Sequence, residues 1–374
     1  MVNAYYTRTT FSGDTGASTG ALGLGDGNAD SSANITTGLL PNYLSVSGKT
    51  RQNDLDVAFT ISIQPGSSTT TAGNQGGLST NATNQENRQA FLTFGDKSWG
   101  SIKLGKDLGI YASDAILNDM TLLGVGAGAG SLAGNTTTLG RIGTGYMYAD
   151  WKSQIAYSSP NWNGFSFTVG LTQAWDSNAS VAVATNPNAF SNSRAGGQTA
   201  YEGKVSYDFT GDVAGKVWAS AISQKVNDVA VAGNDERANA WDIGANVNVA
   251  GFGLTGYYGK GKGIGQTFQL LDGFDATGKR RDSDQWYVQG TYTIPGVGTK
   301  LGVSYGESTL DGNRVDNFDE VQDSMLTIGA YHPLTKHLNL VAEYSESERD
   351  LDRVAASSLD AKAKTVSLGA ILFF

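Results

Sequence analysis

The chain has 374 residues, a formal net charge of −9 and no cysteine. The negative charge argues against a nucleic-acid binder, because phosphate recognition requires a basic surface. The absence of cysteine excludes disulfides, thiolate metal sites and cysteine nucleophiles, and it suits a chain that crosses an oxidising compartment. With 50 glycines, 6 prolines and 39% hydrophobic residues, the composition favours many short strands and turns over a large apolar interior.

Period-two alternation predicts about sixteen strands of about ten residues or fewer. Met1 runs straight into the first strand pattern without an export signal, so we expect the numbering of a mature or recombinant form. The segment from Asp54 to Ile63 shows the alternation clearly. Its predicted apolar face carries Leu55, Val57, Phe59, Ile61 and Ile63. Aspartate, threonine and serine alternate with these residues, so the opposite face is hydrated.

The predicted connectors alternate between long polar loops and tight turns. The long ones are Gly13 to Asn42, Gln64 to Asn87, Asp107 to Lys152, Ala174 to Gly197, Val226 to Arg237, Lys262 to Asp282, Thr309 to Gln322 and Glu348 to Lys362. The tight ones are Arg51 to Asn53, Asp96 to Trp99, Ser158 to Gly164, Thr210 to Val213, Ala250 to Gly251, Ile294 to Thr299 and Pro333 to His337. This segregation predicts a transmembrane antiparallel β-barrel with both termini on the short-turn side.

The connector from 107 to 152 is too long for an ordinary hairpin loop and too polar for a membrane helix. We predict that it folds into the barrel lumen and narrows a water-filled pore. Glycines between Gly124 and Gly130 would permit a tight backbone or a close approach to the wall. The candidate loop residues are Asp107, Asp114, Asp119, Arg141 and Asp150. For Asp114, Asp119 and Arg141, the alternative is that they only hold the loop to the wall or stay solvated.

Several motifs resemble the general porin family of Gram-negative outer membranes. They are Arg88 to Gly95, Trp99 to Lys106, Tyr111, Asp119-Met120, Tyr157 to Pro160, Asn163 to Phe165, and the last strand, Thr365 to Phe374, which ends in a C-terminal phenylalanine. The resemblance covers the whole chain and is most specific between residues 88 and 167. It implies one barrel domain over residues 1–374, about sixteen strands, an inward-folded third loop at 107–152, and a homotrimer.

In that family, wall cations face loop carboxylates across the constriction. The resemblance places Arg88 and Lys106 on the wall and Asp119 on the loop. Lys103 points into the lumen by the alternation of its own strand. The sequence departs from the family at Tyr43 and Ser158, where wall arginines are frequent, and near Leu123, where a second loop acid is expected; the Pro-Glu-Phe-Gly motif is also missing.

The resemblance implies an integral outer-membrane channel for passive diffusion of small hydrophilic solutes, in contact with membrane lipid and lipopolysaccharide. We expect no cofactor, no metal centre and no enzyme activity, since both histidines, His332 and His337, flank one predicted tight turn. Two other functions stay open. One is a porin selective for organic acids or sugars, and the other is a structural or adhesive barrel with a closed lumen.

The outer loops are acidic and carry carboxylates able to bind divalent cations. These are Asp14, Asp26, Asp30, Asp311, Asp316, Asp319, Glu320 and Asp323. The alternative for most of them is solvated loop charge.

Overall fold

A computed structural model describes residues 1–14, 22, 24, 30–68, 85–128, 136–173, 198–227, 229–230 and 233–374. Asp26, one of the predicted acidic-loop residues, and Gly130 of the glycine run lie outside these residues. No helix in these ranges is long and apolar enough to cross a membrane.

The regular structure of the described chain is almost entirely β-strand. The strands are β1 Val2–Gly13, β2 Ser31–Thr36, β3 Leu44–Gln52, β4 Leu55–Pro65, β5 Gln85–Glu86, β6 Ala90–Asp96, β7 Gly100–Leu108, β8 Trp151–Ser158, β9 Phe165–Gln173, β10 Thr199–Phe209, β11 Val213–Val226, β12 Glu236–Val249, β13 Phe252–Lys262, β14 Asp282–Thr293, β15 Lys300–Asp311, β16 Phe318–Pro333, β17 Leu338–Arg353 and β18 Leu359–Leu372. The helical elements are one turn of α-helix, α1 Ser113–Leu117, and a 3₁₀ turn at Met120–Leu123.

All 18 strands belong to one sheet, and every pairing between them is antiparallel. From β6 to β18, each strand pairs with the next one along the chain, and β4 pairs with both β3 and β6. The first strand, β1, pairs with the last strand, β18, and also with β2. The predicted tight turns agree with the connections between consecutive strands, from the turn at 53–54 to the one at 334–337.

The sheet has two chemically distinct faces. One face, here the apolar face, carries exposed side chains such as Ile61 (56%), Ile155 (58%) and Leu368 (55%). The other, here the polar face, carries Thr, Ser, Asn, Gln and charged residues that alternate with them. Paired residues of neighbouring strands share a face, so the alternation within each strand extends around the sheet. The apolar face predicted for Asp54 to Ile63 includes Phe59, Ile61 and Ile63, all of which are exposed.

Two connecting segments pack on the polar face, and the buried core lies between them and the strands. One is segment A, residues 109–128 and 136–150 between β7 and β8; the other is segment B, residues 263–281 between β13 and β14. Tyr146 and Phe268, one from each segment, are buried in the same apolar cluster as Trp218 and Tyr287 of the sheet. The core of this protein is therefore built from connecting segments and the wall that they cover.

Candidate functional site

Segment A begins on a carboxylate of the wall. The backbone N–H groups of Ile110 and Tyr111 both donate to Glu202 Oε2 at 2.8 Å, and the N–H of Ala112 donates to Ser220 Oγ at 3.1 Å. Buried backbone hydrogen-bond donors need acceptors, and here β10 and β11 of the sheet supply the acceptors. The segment is thereby fixed to the wall before α1 starts.

Asp114, the first acidic residue of α1, forms two ion pairs with the wall. Its carboxylate lies 3.0 Å from Lys204 Nζ and 2.5 Å from Lys216 Nζ, and the aspartate is only 4% exposed. Burial alone would raise the pKa of Asp114, but the two ammonium groups outweigh that effect and lower it. The carboxylate is used to hold α1 against β10 and β11.

Asp119 is used within segment A itself. Its carboxylate accepts from the Thr121 N–H at 2.9 Å and the Thr121 hydroxyl at 2.5 Å, which caps the 3₁₀ turn. The Tyr146 hydroxyl also donates to it, at 2.8 Å. Only 4% of Asp119 is exposed, so its charge is directed into the segment.

The glycine run approaches the wall at Glu343 of β17. The N–H groups of Val125 and Gly126 donate to Glu343 Oε2 at 2.6 Å and 3.0 Å. A Cβ on Gly124 would stand about 2 Å from the same carboxylate, so only glycine fits there without displacing it. The predicted close approach of these glycines to the wall is therefore found at Gly124.

Arg141 is fully buried, and its guanidinium lies among tyrosines of segment A and of the sheet. One amino group, Nη1, donates to the Met325 carbonyl at 2.8 Å. Nε and Nη2 have no hydrogen-bond partner within the described residues. Burial lowers the pKa of Arg141. Asp119, Arg141 and Tyr146 thus belong to one buried cluster of segment A.

The predicted pore residues of β7 lie on opposite faces of the sheet. Lys103 and Asp107 lie four residues apart on the polar face of β7 and form an ion pair, and Gln89 Nε2 donates to Asp107 at 3.1 Å. Lys106 lies between Lys103 and Asp107 in β7 and points to the opposite face of the sheet. It shares its face with Leu104, which pairs with the exposed Ile155, so Lys106 lies on the apolar face. This differs from the inward position that the family motif predicts; the period-two rule, applied to Lys106, gives the observed direction.

Three more of the predicted residues have partners in different parts of the fold. Arg88 pairs with Glu86 at 2.6 Å and donates to Thr137 at 3.2 Å. Ser158 bonds the Thr168 hydroxyl at 2.9 Å. Asp150 has a left-handed backbone, with φ of 62°, and its carbonyl accepts from the Gly109 N–H at 2.7 Å, which closes the base of segment A.

Tyr43 lies just before β3 and is 39% exposed. Its backbone exchanges two hydrogen bonds with Met1, at 3.0 Å and 3.1 Å.

Segment B was predicted only as a long polar connector, yet it carries a second set of buried contacts. Lys152 Nζ donates to Glu202 Oε1 and to Gln269 Oε1, both at 2.6 Å, and Gln269 Nε2 donates to the Tyr148 carbonyl at 3.1 Å. The side chains of Lys152 and Glu202 are 1% and 0% exposed. Apolar residues spaced along the connector, Ile264, Phe268, Leu270 and Phe274, were the available signal that it packs against something.

Two cavities open on the polar face. One, of about 560 Å³, lies under segment A and is lined by residues such as Asn118, Asp119, Gln289 and Lys300. The other, of about 690 Å³, lies along β3, β4, β6 and β7, where Lys49, Arg51 and Thr93 line it. No group of three or more His, Asp or Glu side chains suited to a metal ion occurs in the part of the chain that the structure describes.

Comparison with known structures shows the same fold over whole chains. The anion-selective porin from Comamonas acidovorans is 16% identical, with 100% of this chain and 99% of that chain covered and a TM-score of 0.61. The outer membrane channel DcaP of Acinetobacter baumannii is 14% identical, with 98% and 95% covered and a TM-score of 0.64. OmpT of Vibrio cholerae in its trimer form is 13% identical, with 98% of both chains covered and a TM-score of 0.53.

A search of curated protein sequences finds no match. A family model described as Gram-negative porin matches residues 6–352, which is nearly the whole chain. The two-faced antiparallel sheet, the short turns between its strands and the long segment A packed on its polar face accord with that match. The chain therefore belongs to the Gram-negative porin family, β-barrels of the outer membrane through which small solutes diffuse passively.

Proposed function

We propose that residues 1–374 form one closed barrel of 16 strands with segment A as its inward constriction loop. The Met1–Tyr43 hydrogen bonds continue the β1–β2 pairing beyond Thr36. This supports counting β2 and β3 as two parts of one interrupted strand. The two-residue β5 pairs with the end of β4 and lies in line with β6, which pairs with the rest of β4, so it adds no wall strand. With these two assignments, pairing runs from β1 around the sheet and back through β18.

The observation that carries the constriction is the spread of wall contacts made by segment A. It bonds Glu202 of β10, Gln289 of β14 and Glu343 of β17. Tyr5 of β1 reaches it as well, donating to the Leu123 carbonyl at 2.8 Å. Strands so far apart in the sheet face a common segment only if the polar face curves around it. A single loop in such a lumen leaves a sized path for hydrophilic solutes.

Among the predicted site residues, we assign two roles. Lys103, Asp107, Tyr43 and Ser158 line the open side of the path, and Arg88 borders it. Asp114, Asp119, Arg141 and Asp150 hold segment A in place, which is the alternative that the sequence left open for three of them. The burial of Asp114, Asp119 and Arg141 and the hydrogen bond between the Asp150 carbonyl and the Gly109 N–H support this assignment. The porin family consists of channels, and we assign no catalytic step and no cofactor to this chain.

The proposed assembly is a homotrimer embedded in outer-membrane lipid and lipopolysaccharide. The trimer form of the Vibrio cholerae relative supports the assembly. The exposed apolar face, with Trp241 and Tyr258 packed together at 5.8 Å between ring centroids, suits a lipid boundary. Divalent cations at the outer-loop carboxylates Asp14, Asp30, Asp311, Asp319 and Glu320 remain part of the proposal for the lipopolysaccharide contact. Asp316 and Asp323 are instead paired with Arg281 and Arg349.

Single-channel recording in a planar bilayer tests the channel. We expect purified protein to give stepwise currents in groups of three, and liposomes containing it to swell in small sugars. A selective porin would instead show current blocked by one organic acid or sugar at low concentration. The packing of both segments A and B in the lumen favours a narrow path, so selectivity is the second candidate. Protein that neither conducts nor swells liposomes would support the closed, structural barrel.

A further inference from the structure

The cavity of about 560 Å³ under segment A opens toward the tight turns of the sheet. Its rim includes Gly211 and Asp212 of one tight turn and Ala250 and Gly251 of another. In barrels of the outer membrane, the short turns lie at the end opposite the long loops. The cavity, here the short-turn vestibule, therefore lies on the short-turn side of the proposed constriction.

The floor of the short-turn vestibule is the polar face of β12 to β14, and two side-chain oxygens converge on one point of this floor. The point lies over Gly253 of β13, which pairs with Asn248 of β12 and with Thr291 of β14. A Cβ on Gly253 would stand 2.6 Å from Thr291 Oγ1 and 2.9 Å from Asn248 Oδ1. The glycine thus leaves a gap between the two oxygens that a side chain would close.

A chain of hydrogen bonds fixes the direction of the Asn248 amide. Its Nδ2 donates to Asn246 Oδ1 at 2.5 Å, and Asn246 Nδ2 donates to Thr255 Oγ1 at 2.8 Å. The amide nitrogen of Asn248 thus faces Asn246, and its oxygen faces the gap over Gly253. Neither Asn248 Oδ1 nor Thr291 Oγ1 has a hydrogen-bond partner among the residues that the structure describes.

The charged residues of the short-turn vestibule stand apart from this gap. Asp212 is at the rim, and the Asp119 carboxylate is bound within segment A. Lys300 Nζ lies over the Tyr331 ring, 5.1 Å from its centroid. The floor between these groups is uncharged, so it offers no counter-charge to an ionic solute.

The two free oxygens favour solutes that carry hydroxyl groups. An amide oxygen only accepts hydrogen bonds, whereas a threonine hydroxyl both accepts and donates. A solute carboxylate has no hydrogen to donate to Asn248 Oδ1, and a solute ammonium would meet Lys300 in the same cavity. A neutral hydroxyl satisfies both oxygens without either cost.

Segment A adds an apolar contact to the short-turn vestibule. Leu117, the last residue of α1, lines the cavity and is 53% exposed. The two apolar residues before it, Ala115 and Ile116, are buried. A sugar carries C–H groups beside its hydroxyls, so it matches a cavity that combines a few hydrogen-bonding groups with an apolar side chain.

We propose that the short-turn vestibule is a binding site for neutral polyhydroxylated solutes such as sugars. Asn248 Oδ1 and Thr291 Oγ1 are its hydrogen-bonding groups, and Leu117 is its apolar contact. This rests on the proposed channel and adds a solute class and the side of the channel on which that solute binds. Because segment A separates the vestibule from the long loops, a neutral trisaccharide reaches the site more readily from the short-turn side.

The test is blockade of single-channel current by raffinose, a neutral trisaccharide, added in turn to each side of the bilayer. We expect saturable blockade from one side and much weaker blockade from the other. Thr291→Val keeps the side-chain shape but removes one hydrogen bond, so it should raise the half-blocking concentration about fivefold. Gly253→Ala should raise it further, because the added Cβ occupies the gap. Sialyllactose, a trisaccharide with one carboxylate, should block less than raffinose at equal concentration.

Thr93→Val is the matched control, since it removes the same group from a half-buried residue of β6 in the other cavity and should leave the blockade unchanged. Sugar-free conductance equal to that of wild type shows that each variant is folded. No blockade by raffinose, equal blockade from both sides, or an unchanged half-blocking concentration in Thr291→Val would overturn the site while leaving the channel intact. Wild-type protein without conductance would overturn the proposed function itself.

Discussion

At the scale of single residues, the role of a charged side chain in this protein depends on its partners more than on its position in the sequence. Asp114 and Lys103 are both charged and both face the polar side of the sheet. Asp114 is buried between two lysines, whereas Lys103 keeps about a third of its side chain exposed. The first holds a loop to the wall, and the second remains accessible to a solute.

Asp114→Asn should destabilise the protein. The change leaves Lys204 and Lys216 without their shared carboxylate, and both lysine side chains are about a quarter exposed, so water offsets part of the loss. We expect about 1–3 kcal/mol, below the range for breaking a fully buried pair, measured by denaturant unfolding in detergent. Asp319→Asn, at an exposed outer residue, is the control and should change the unfolding free energy little. Equal effects of the two variants would contradict the role assigned to Asp114.

The same aspartate should make the stability depend on pH. The pKa of Asp114 is lower in the folded protein than its usual value of 3.8, so the folded state binds fewer protons. Its contribution is complete above pH of about 4 and is lost as the pH falls through the lower folded pKa. Unfolding curves of wild type and Asp114→Asn should therefore differ at pH 7 and converge at acidic pH. A difference that stays constant down to pH 2 would show that the carboxylate charge is not responsible.

At the scale of elements, the sequence predicts the turns and the alternation of strands well and connecting segments poorly. The predicted strand length of about ten residues or fewer is wrong for β16 and β17, which have 16 residues each. A strand needs only its own alternation to define two faces, so Asp54 to Ile63 could be assigned locally. The folding of segment B depends on Lys152 and Tyr148, more than 100 residues away from Gln269. The break between β2 and β3 likewise depends on Met1. Long-range partners of this kind leave no periodic signal in one sequence.

Lys106 shows a second limit of prediction from sequence, which concerns the use of a family motif. The family motif placed it on the inner wall, while alternation within β7 places it with Leu104. Motif position gives the neighbourhood of a residue, but a shift of one residue along a strand reverses its face. Lys103, assigned by alternation alone, lies on the polar face with Asp107. Local geometry was the better guide where the two disagreed.

Gln269→Leu should loosen segment B. The substitution removes one of two acceptors of Lys152, which keeps Glu202, and it leaves the Tyr148 carbonyl without the Gln269 donor, at a cost of about 1–3 kcal/mol for the unpaired group. Single-channel traces should show more frequent current fluctuations or a larger conductance as the segment moves from the lumen. Gln322→Leu on β16, outside segment B, is the comparison. Traces of Gln269→Leu identical to wild type would mean that segment B does not border the path.

At the scale of the whole molecule, total charge and pore charge are separate quantities. The cavity along β3, β4, β6 and β7 is lined by Lys49 and Arg51 together with Asp56 and Asp96, so its formal charges balance although the chain as a whole is acidic. Charges farther from the path than the Debye length are screened by salt, while a charge inside a narrow lumen keeps its influence. The net charge of −9 is therefore a poor guide to which ions pass.

Ionic strength should separate these contributions. The Debye length is about 10 Å in 0.1 M salt and about 3 Å in 1 M salt, so a charge on the wall acts across a cavity of this size only in the dilute solution. We expect any preference between chloride and potassium in a tenfold gradient to be largest when the mean salt is near 0.1 M and to weaken toward 1 M. A wild-type preference independent of salt would instead point to size exclusion by segments A and B, because steric selection does not respond to screening.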